Sequence, residues 1–188
     1  VFPHEGAAAL HGGNFMGQHV GIASDTLSIA AITLAGLAER QIARVTDERL
    51  NGGLPAFLTG GRAGLDSGLM GAQVTASALL AEMRSRAVPA SVQSISTNGA
   101  NQDVVSMGTI AARAAGGHLE DAAHILAILA LAVAQGRDVL GEGFSPSTEA
   151  MVSKIRHVSR PLDSDRPLAS ELATLAATIL DGDSESQS

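Results

Sequence analysis

The stretch from Met16 to Leu50 contains no proline, and its apolar residues recur at a helical spacing. Val20, Leu27 and Leu34 repeat every seven residues, and Ala23, Ala30 and Leu37 follow each of them by three. That pattern is an a/d seam. Ile22, Ile29 and Ile32 lie off the seam, so more than one face of the helix is apolar. At 1.5 Å per residue the segment spans roughly 50 Å. A helix this long and this apolar belongs inside a multi-helix bundle. The rest of the chain is too short to cover it, so the pattern calls for partners: more chain upstream, other subunits, or both. Its last turns carry Glu39, Arg40, Arg44, Asp47, Glu48 and Arg49, which predict a charged, wetter end.

The remaining sequence is Ala- and Leu-rich and predicts helices throughout. Pro55 and the glycines at 52, 53, 60, 61 and 64 interrupt it. A second helix is predicted over 65–86. Ser91 to Gln102 has no helical period and predicts an ordered polar loop, with at most a short strand near 92–95. A third helix is predicted over 104–115, a break at Gly116-Gly117, and a fourth helix over 119–140. Ser145-Pro146 has the form of an N-cap followed by proline at the first helical position, opening a fifth helix to Val158. A Pro-bounded linker, 160–167, precedes a sixth helix over 168–180. The domain reading is a single helical unit, 1–180, with a polar tail, 181–188. The fold class is all-α, a long-helix bundle.

Composition excludes several classes of function. Twelve basic against nineteen acidic residues, net charge −7, leave no footprint for nucleic acid. A single lysine, Lys154, argues against a polybasic membrane patch. The most apolar run, Ala122 to Ala134, contains His124 and falls short of the roughly 20 residues of a membrane span, so it predicts a buried helix. Without cysteine there are no disulfides, thiolate zinc sites or cysteine nucleophiles. That fits a reducing, cytoplasmic setting. Val1 to Leu10 has neither the basic start nor the apolar core of a signal peptide. With no tyrosine either, acid–base chemistry falls to six histidines and the carboxylates.

Two clusters can carry chemistry. His11-Gly12-Gly13-Asn14-Phe15-Met16-Gly17 precedes the long helix. Its glycines permit close backbone approach, and Asn14 sits near a helix start, where an anion is favoured. The competing reading is a turn with an N-cap, the commoner use of such residues. Thr97-Asn98-Gly99-Ala100-Asn101-Gln102-Asp103 places three amides and a carboxylate in seven residues. They can fix a polar ligand, or form Asx-turns and cap the helix predicted from Val104. The glycine-rich 60–68 segment lacks a phosphate-loop signature, and no G-x-S-x-G occurs. His118, Asp121 and His124 stand three apart on a predicted helix, but the two histidines point in different directions, so no metal site is expected. Arg156, His157, Arg160 and Arg166 are expected to be solvated or paired at an interface.

Six blocks resemble one family. They are Gly12-Gly13-Asn14-Phe15, Ala38-Glu39-Arg40-Gln41, Gly53-Leu54-Pro55-Ala56-Phe57-Leu58, Gly64-Leu65-Asp66-Ser67-Gly68, Pro89-Ala90-Ser91-Val92, and Asn101-Gln102-Asp103 through Ser106-Met107-Gly108. Their order and spacing are similar to the C-terminal part of the histidine, phenylalanine and tyrosine ammonia-lyases. Asn14 to Val20 most resembles the bacterial tyrosine-specific members. Where Met16 stands, histidine-specific members usually have His and plant phenylalanine-specific members Gln.

The resemblance implies a homotetramer of long helices with active sites assembled from several subunits. It implies an aromatic L-amino acid as substrate and a methylidene-imidazolone electrophile self-formed from an Ala-Ser-Gly tripeptide. A tyrosine base then removes the β-proton, and ammonia leaves to give an arylacrylate. Carried over by position, Asn14 binds the substrate carboxylate and Phe15 forms part of the aromatic wall. Gln102 lies near the reacting amine and the electrophile, and Asn101 and Asn98 line the same pocket. The departures matter as much. This sequence contains no Ala-Ser-Gly and no Tyr. The electrophile, the base, a carboxylate-binding arginine and the ring-selecting residues are therefore expected in an N-terminal part, and this chain alone is expected to be inactive. An aminomutase using the same electrophile and a non-catalytic helical assembly module derived from a lyase are the alternatives.

Overall fold

The computed structural model describes residues 12–13, 15–62, 64–141 and 144–182. Five helices organise them: α1 (Gln18–Thr46), α2 (Met70–Ser85), α3 (Gly108–Leu140), α4 (Pro146–Val158) and α5 (Ala169–Asp181), with a 3-10 turn at Ala56–Leu58. Among the described residues there is no strand, and the all-α expectation holds. α1 and α3 run side by side in the same direction. Gly21 lies against Ser106 and Gly108 at one end, and Leu54 and Leu58, just beyond α1, lie against Gly136 at the other. α2 returns antiparallel to both, joined to α1 where the Ser77 hydroxyl donates to Glu39 at 2.7 Å.

Small residues bring α1 to α3. Gly21, Ser28, Ala31, Ala35 and Ala38 of α1 are buried, and α3 buries Ala111, Ala115, Ala122 and Ala123. Short side chains let two helices approach closely, and the bulky core side chains Ile42, Leu58, Leu69, Met83, Ile125 and Ile128 fill the spaces beside them. The a/d seam expected to pack lies on the other side. Val20, Leu27, Leu34 and Leu37 are 45% to 58% exposed. The chain's own helices take the small-residue face, and the large-residue face stays bare. Glu39 also departs from expectation. It is buried at the supposedly wet end, paired to Arg40 at 2.6 Å. The Arg40 guanidinium holds the Glu39 carboxyl below its usual value, against burial, with help from Ser77.

Three further boundaries are corrected. The third and fourth predicted helices are one, α3, which runs unbroken through Gly116-Gly117. Glycine in a helix interior costs about 1 kcal/mol relative to alanine, and the flanking buried contacts of Ala115 and His118 carry the helix across. α2 begins at Met70 rather than Leu65. The preceding turns are held by Asp165, whose carboxylate accepts from the backbone N–H of Ser67 and Gly68 at 2.7 and 2.9 Å. Near 92–95 no strand forms; an isolated bridge joins Thr97 and Gln102 instead. The α4 start is as predicted: the Ser145 hydroxyl accepts from the Thr148 amide, with Pro146 at the first helical position.

The cationic residues near the C-terminus hold the chain to itself. Arg156 meets Asp138 at 2.7 Å, and Arg166 meets Glu171 at 3.0 Å, all largely shielded from solvent. Gln135, buried in α3, donates to the carbonyls of Leu58 and Leu162 and accepts from the Leu162 amide, stapling two connections to the core. α1 and α3 are both long and apolar enough to cross a membrane, which the longest apolar run alone did not indicate. Half of the most apolar α3 stretch is buried within the chain, against 28% for α1.

Candidate active site

The polar loop ends against the start of α3, and the start of α3 lies against the start of α1. A Cβ on Gly21 would stand 2.9 Å from the Ser106 carbonyl oxygen and 3.5 Å from the Gly108 Cα, so the two helix N-termini touch backbone to backbone. Gly17 and Met107, the residues that precede α1 and α3, provide no side-chain cap. Two parallel helices thus bring their N-terminal N–H groups to one end of the bundle, a setting that favours negative charge, with the Gly108 N–H donating to the Ser106 hydroxyl at 3.4 Å. A groove of about 630 Å³ opens there, lined by Gly17, Val20, Ser106, Gly108, Thr109 and Arg113. Phe15, on the approach to α1, is 78% exposed at the same end. Asn14 lies outside the described residues.

The second cluster forms a tight turn. The Thr97 amide donates to the Gln102 carbonyl at 2.9 Å, and the Gln102 amide returns to the Thr97 carbonyl at 3.2 Å. Asn98, Gly99 and Ala100 all have positive φ, between 54° and 66°. Asparagine and glycine tolerate that conformation, whereas Ala100 is strained in it. α3 begins only at Gly108, with Met107 in the left-handed region before it, so the capping reading of 97–103 is overturned. Asp103 instead accepts from the amide next to it, Val104, at 2.9 Å. Among the described residues no side-chain hydrogen bond engages Asn98, Asn101 or Gln102. Asn98 and Asn101 are exposed and Gln102 half-buried. Three carboxamides are therefore held on a fixed turn with donors and acceptors free for a ligand.

One residue that fixes this loop went unremarked in the sequence. Asp25 of α1 is buried, and its carboxylate accepts from the backbone amides of Ala90 and Ser91 at 3.1 and 2.8 Å. Burial pushes its carboxyl up. The Ser91 hydroxyl and amide and the Ala90 amide together outweigh burial and leave the value lowered. The signal was present: Asp25 is the only acidic residue between Gln18 and Ala38. The histidines of α3 separate. His118 is buried, whereas the half-buried His124 has its Nδ1 3.0 Å from the Glu120 carbonyl. Among the described residues no three histidines or carboxylates group as metal ligands.

Comparison with known proteins bears on this end of the bundle. The sequence model of the aromatic amino acid lyases matches residues 1–157. The chain is 59% identical over 185 residues to a tyrosine ammonia-lyase of Cereibacter sphaeroides, covering 96% of this chain and 35% of that one. It is 45% identical over 181 residues to an MIO-dependent tyrosine 2,3-aminomutase of Streptomyces globisporus, covering 95% of this chain and 33% of that one. The crystal structure of a histidine ammonia-lyase from Trypanosoma cruzi superposes with a TM-score of 0.87 at 37% identity, covering 97% of this chain and 36% of that one. The chain thus spans about a third of the length of the curated relatives it matches. With the family matched across the touching helix starts, the amide-bearing turn and most of α4, this chain belongs to the aromatic amino acid lyase family.

Proposed function

We propose that this chain is the C-terminal part of an ammonia-lyase acting on an aromatic L-amino acid, with tyrosine the favoured substrate, and that it forms one wall of the active site. The observation that carries the reading lies at one end of the bundle. There the starts of α1 and α3 touch, Phe15 leads into α1, and the connection into α3 carries, at 97–102, three amides without side-chain partners among the described residues.

The residue types suit the work. Gln102 and Asn101 are neutral amides, able to orient an amine by accepting from it without adding a competing charge. Asn98 lines the same pocket from the far side of the turn. Asn14 donates to the substrate carboxylate, whose charge the two helix starts also favour. Phe15, exposed in this chain, supplies apolar wall for an aromatic ring. A relative named as MIO-dependent supports a self-formed cofactor in the family; that group supplies the electrophile that draws in the substrate amine. Free carboxamides fit beside such a group because they can hydrogen-bond to it without reacting. The Ala-Ser-Gly source of the electrophile and a tyrosine base are not in this sequence, so residues 1–188 alone are expected to be inactive. The bare face of α1 fits burial in a homotetramer.

The test is to supply tyrosine, phenylalanine and histidine separately to the full parent polypeptide and follow arylacrylate absorbance and ammonia. Arylacrylate from tyrosine supports the reading; release from phenylalanine or histidine reassigns the substrate. The aminomutase relative keeps a second reading alive. A β-amino acid accumulating in place of free arylacrylate and ammonia would select it. A parent silent with all three substrates would leave a helical assembly module derived from a lyase.

A further inference from the structure

The connection between α2 and α3 carries three of the four amides assigned to the site, yet it contains no helix and a single bridge. Contacts with one face of α1 fix it in space. At its start, the Asp25 carboxylate takes the backbone amides of Ala90 and Ser91. At its end, Ser106 and Gly108 press on Gly21. Gly21 and Asp25 are four residues apart, one above the other on the same helix face. The loop is therefore clasped at both ends by adjacent turns of a single rigid helix, and that helix begins just after Phe15.

Asp25 is an unusual residue to put in that place. A buried carboxylate is costly unless hydrogen-bonded. Among the described residues no lysine or arginine pairs with it. Its charge is met by two backbone N–H groups of the loop, at 3.1 and 2.8 Å, and the Ser91 hydroxyl also lowers its carboxyl. Hydrogen bonds to an ionised acceptor are roughly twice as strong as neutral ones. The Ala90 amide is buried, so losing its acceptor leaves a donor unsatisfied.

We propose that Asp25 is a positioning residue for this site: its carboxylate clasps Ala90 and Ser91 to α1 and so fixes the turn that holds Asn98, Asn101 and Gln102. The inference rests on the lyase reading above for its catalytic consequence, and on the geometry alone for the clasp. Asp25 touches no substrate; it acts through the loop.

The experiment uses the full parent enzyme with three single variants, Asp25→Asn, Ser91→Ala and Gln102→Ala, and the double variant Asp25→Asn with Gln102→Ala. Asparagine keeps the size but turns an N–H toward one of the two amides. The expected result is a fall in kcat/KM of about 10- to 100-fold, the scale of a displacement near 1 Å, with faster amide exchange across residues 90–103 and unchanged assembly. In the Gln102→Ala background, Asp25→Asn should cost much less than it does alone, because the group it positions is gone. A merely structural lesion would multiply instead. Ser91→Ala, which removes the hydroxyl that helps hold the Asp25 carboxyl low, should lower kcat/KM in the same direction by less. It stands as the test if Asp25→Asn does not assemble, and a wild-type rate there overturns the proposal. So do wild-type rates and exchange in Asp25→Asn, or a double variant equal to the product of the singles. If the wild-type parent releases no arylacrylate, the lyase reading fails by itself, and exchange across 90–103 still decides whether Asp25 clasps the loop.

Discussion

α1 and α3 lie side by side with similar apolar character, and the chain treats them in opposite ways. α3 buries residues over most of its length, from Ala111 to Gly136, and takes contacts from α1, α2, α4 and α5. α1 buries one narrow stripe of mostly small residues and leaves Val20, Ile22, Leu27, Ile29, Leu34 and Leu37 outside. The difference marks where the chain's own core ends. The centre of α3 is packed by this chain; α1 is a boundary helix, one face turned inward to hold α3 and the polar loop, the other shaped like a core but uncovered. An exposed apolar face of this extent marks an interaction surface.

The most direct attack on that contrast compares two aliphatic truncations. Ile125 is fully buried in α3 and Leu37 is 58% exposed on α1. In residues 1–188 studied alone, Ile125→Ala should cost about 2–5 kcal/mol by denaturant unfolding. Leu37→Ala should stay within about 0.5 kcal/mol, the usual range for surface sites. Equal costs would break the comparison. In the full parent, a Leu37→Ala cost rising toward that of Ile125→Ala would sharpen it, by showing that the bare face is covered there.

Gly21→Ala tests the inward face of α1. Its Cβ would meet backbone, the Ser106 carbonyl oxygen at 2.9 Å, rather than a side chain that can move aside. Overpacking of this kind costs about 1–3 kcal/mol. The same substitution should speed amide exchange around 105–110 and lower activity of the parent, since it moves the end of the loop. A variant as stable and as active as wild type would mean that the two helix starts do not depend on close approach.

These two faces show what the sequence could and could not convey. That 16–50 is a helix was legible from its period, and that it needs partners was legible from its breadth. Which face turns inward was not. Val20, Leu27 and Leu34 form the stronger apolar pattern, but Gly21, Ser28 and Ala35, one position on from each, pack more closely and win. Gly116-Gly117 misled for a related reason: local propensity is overridden when neighbouring turns are packed on both sides. In the site, the 91–102 stretch was legible as an ordered loop. Its amides were first weighed as caps because capping depends on where the helix begins, and that lies at Gly108 rather than Val104. Asp25 was visible as a lone acid in an apolar helix, but its partners are 65 and 66 residues away. No local pattern reports them.

The α3 side of the comparison makes a pH prediction. His118 is buried, and among the described residues no partner stands in good hydrogen-bond geometry to either ring nitrogen. Burial first, then the nearby Arg86 charge, push its value below the ordinary 6.5, with Asp121 and the Met83 carbonyl acting the other way. The folded state therefore holds fewer protons than the unfolded state as pH falls below 6.5. Stability contributed by neutral His118 is full above that value and is lost as pH falls toward the folded value, at no more than about 1.4 kcal/mol per pH unit. The shifted carboxyls Asp25, Glu39, Asp47, Asp66 and Glu171 start from 3.8 to 4.5 and act lower. Unfolding of wild type and His118→Leu between pH 4.5 and 6.5 should diverge, with the variant flatter. Parallel curves would mean that the imidazole finds a partner or water.

The smallest expected effect tests whether α3 is as fully covered as it looks. Gly116 is exposed in mid-helix, and a Cβ there would meet nothing within 4 Å. Gly116→Ala removes backbone freedom from the unfolded chain without a clash, so residues 1–188 should gain about 0.5–1 kcal/mol. The parent supplies the comparison. If it gains equally, this side of α3 faces solvent in the assembly, and α1 remains the boundary helix. If it loses stability or assembly instead, another part of the protein approaches the α3 backbone within a methyl radius at Gly116. The glycine would then be explained by that contact rather than by any break in the helix. α3 would also be a boundary helix, on a face where small size, not apolar bulk, marks the contact, as it does between α1 and α3 themselves.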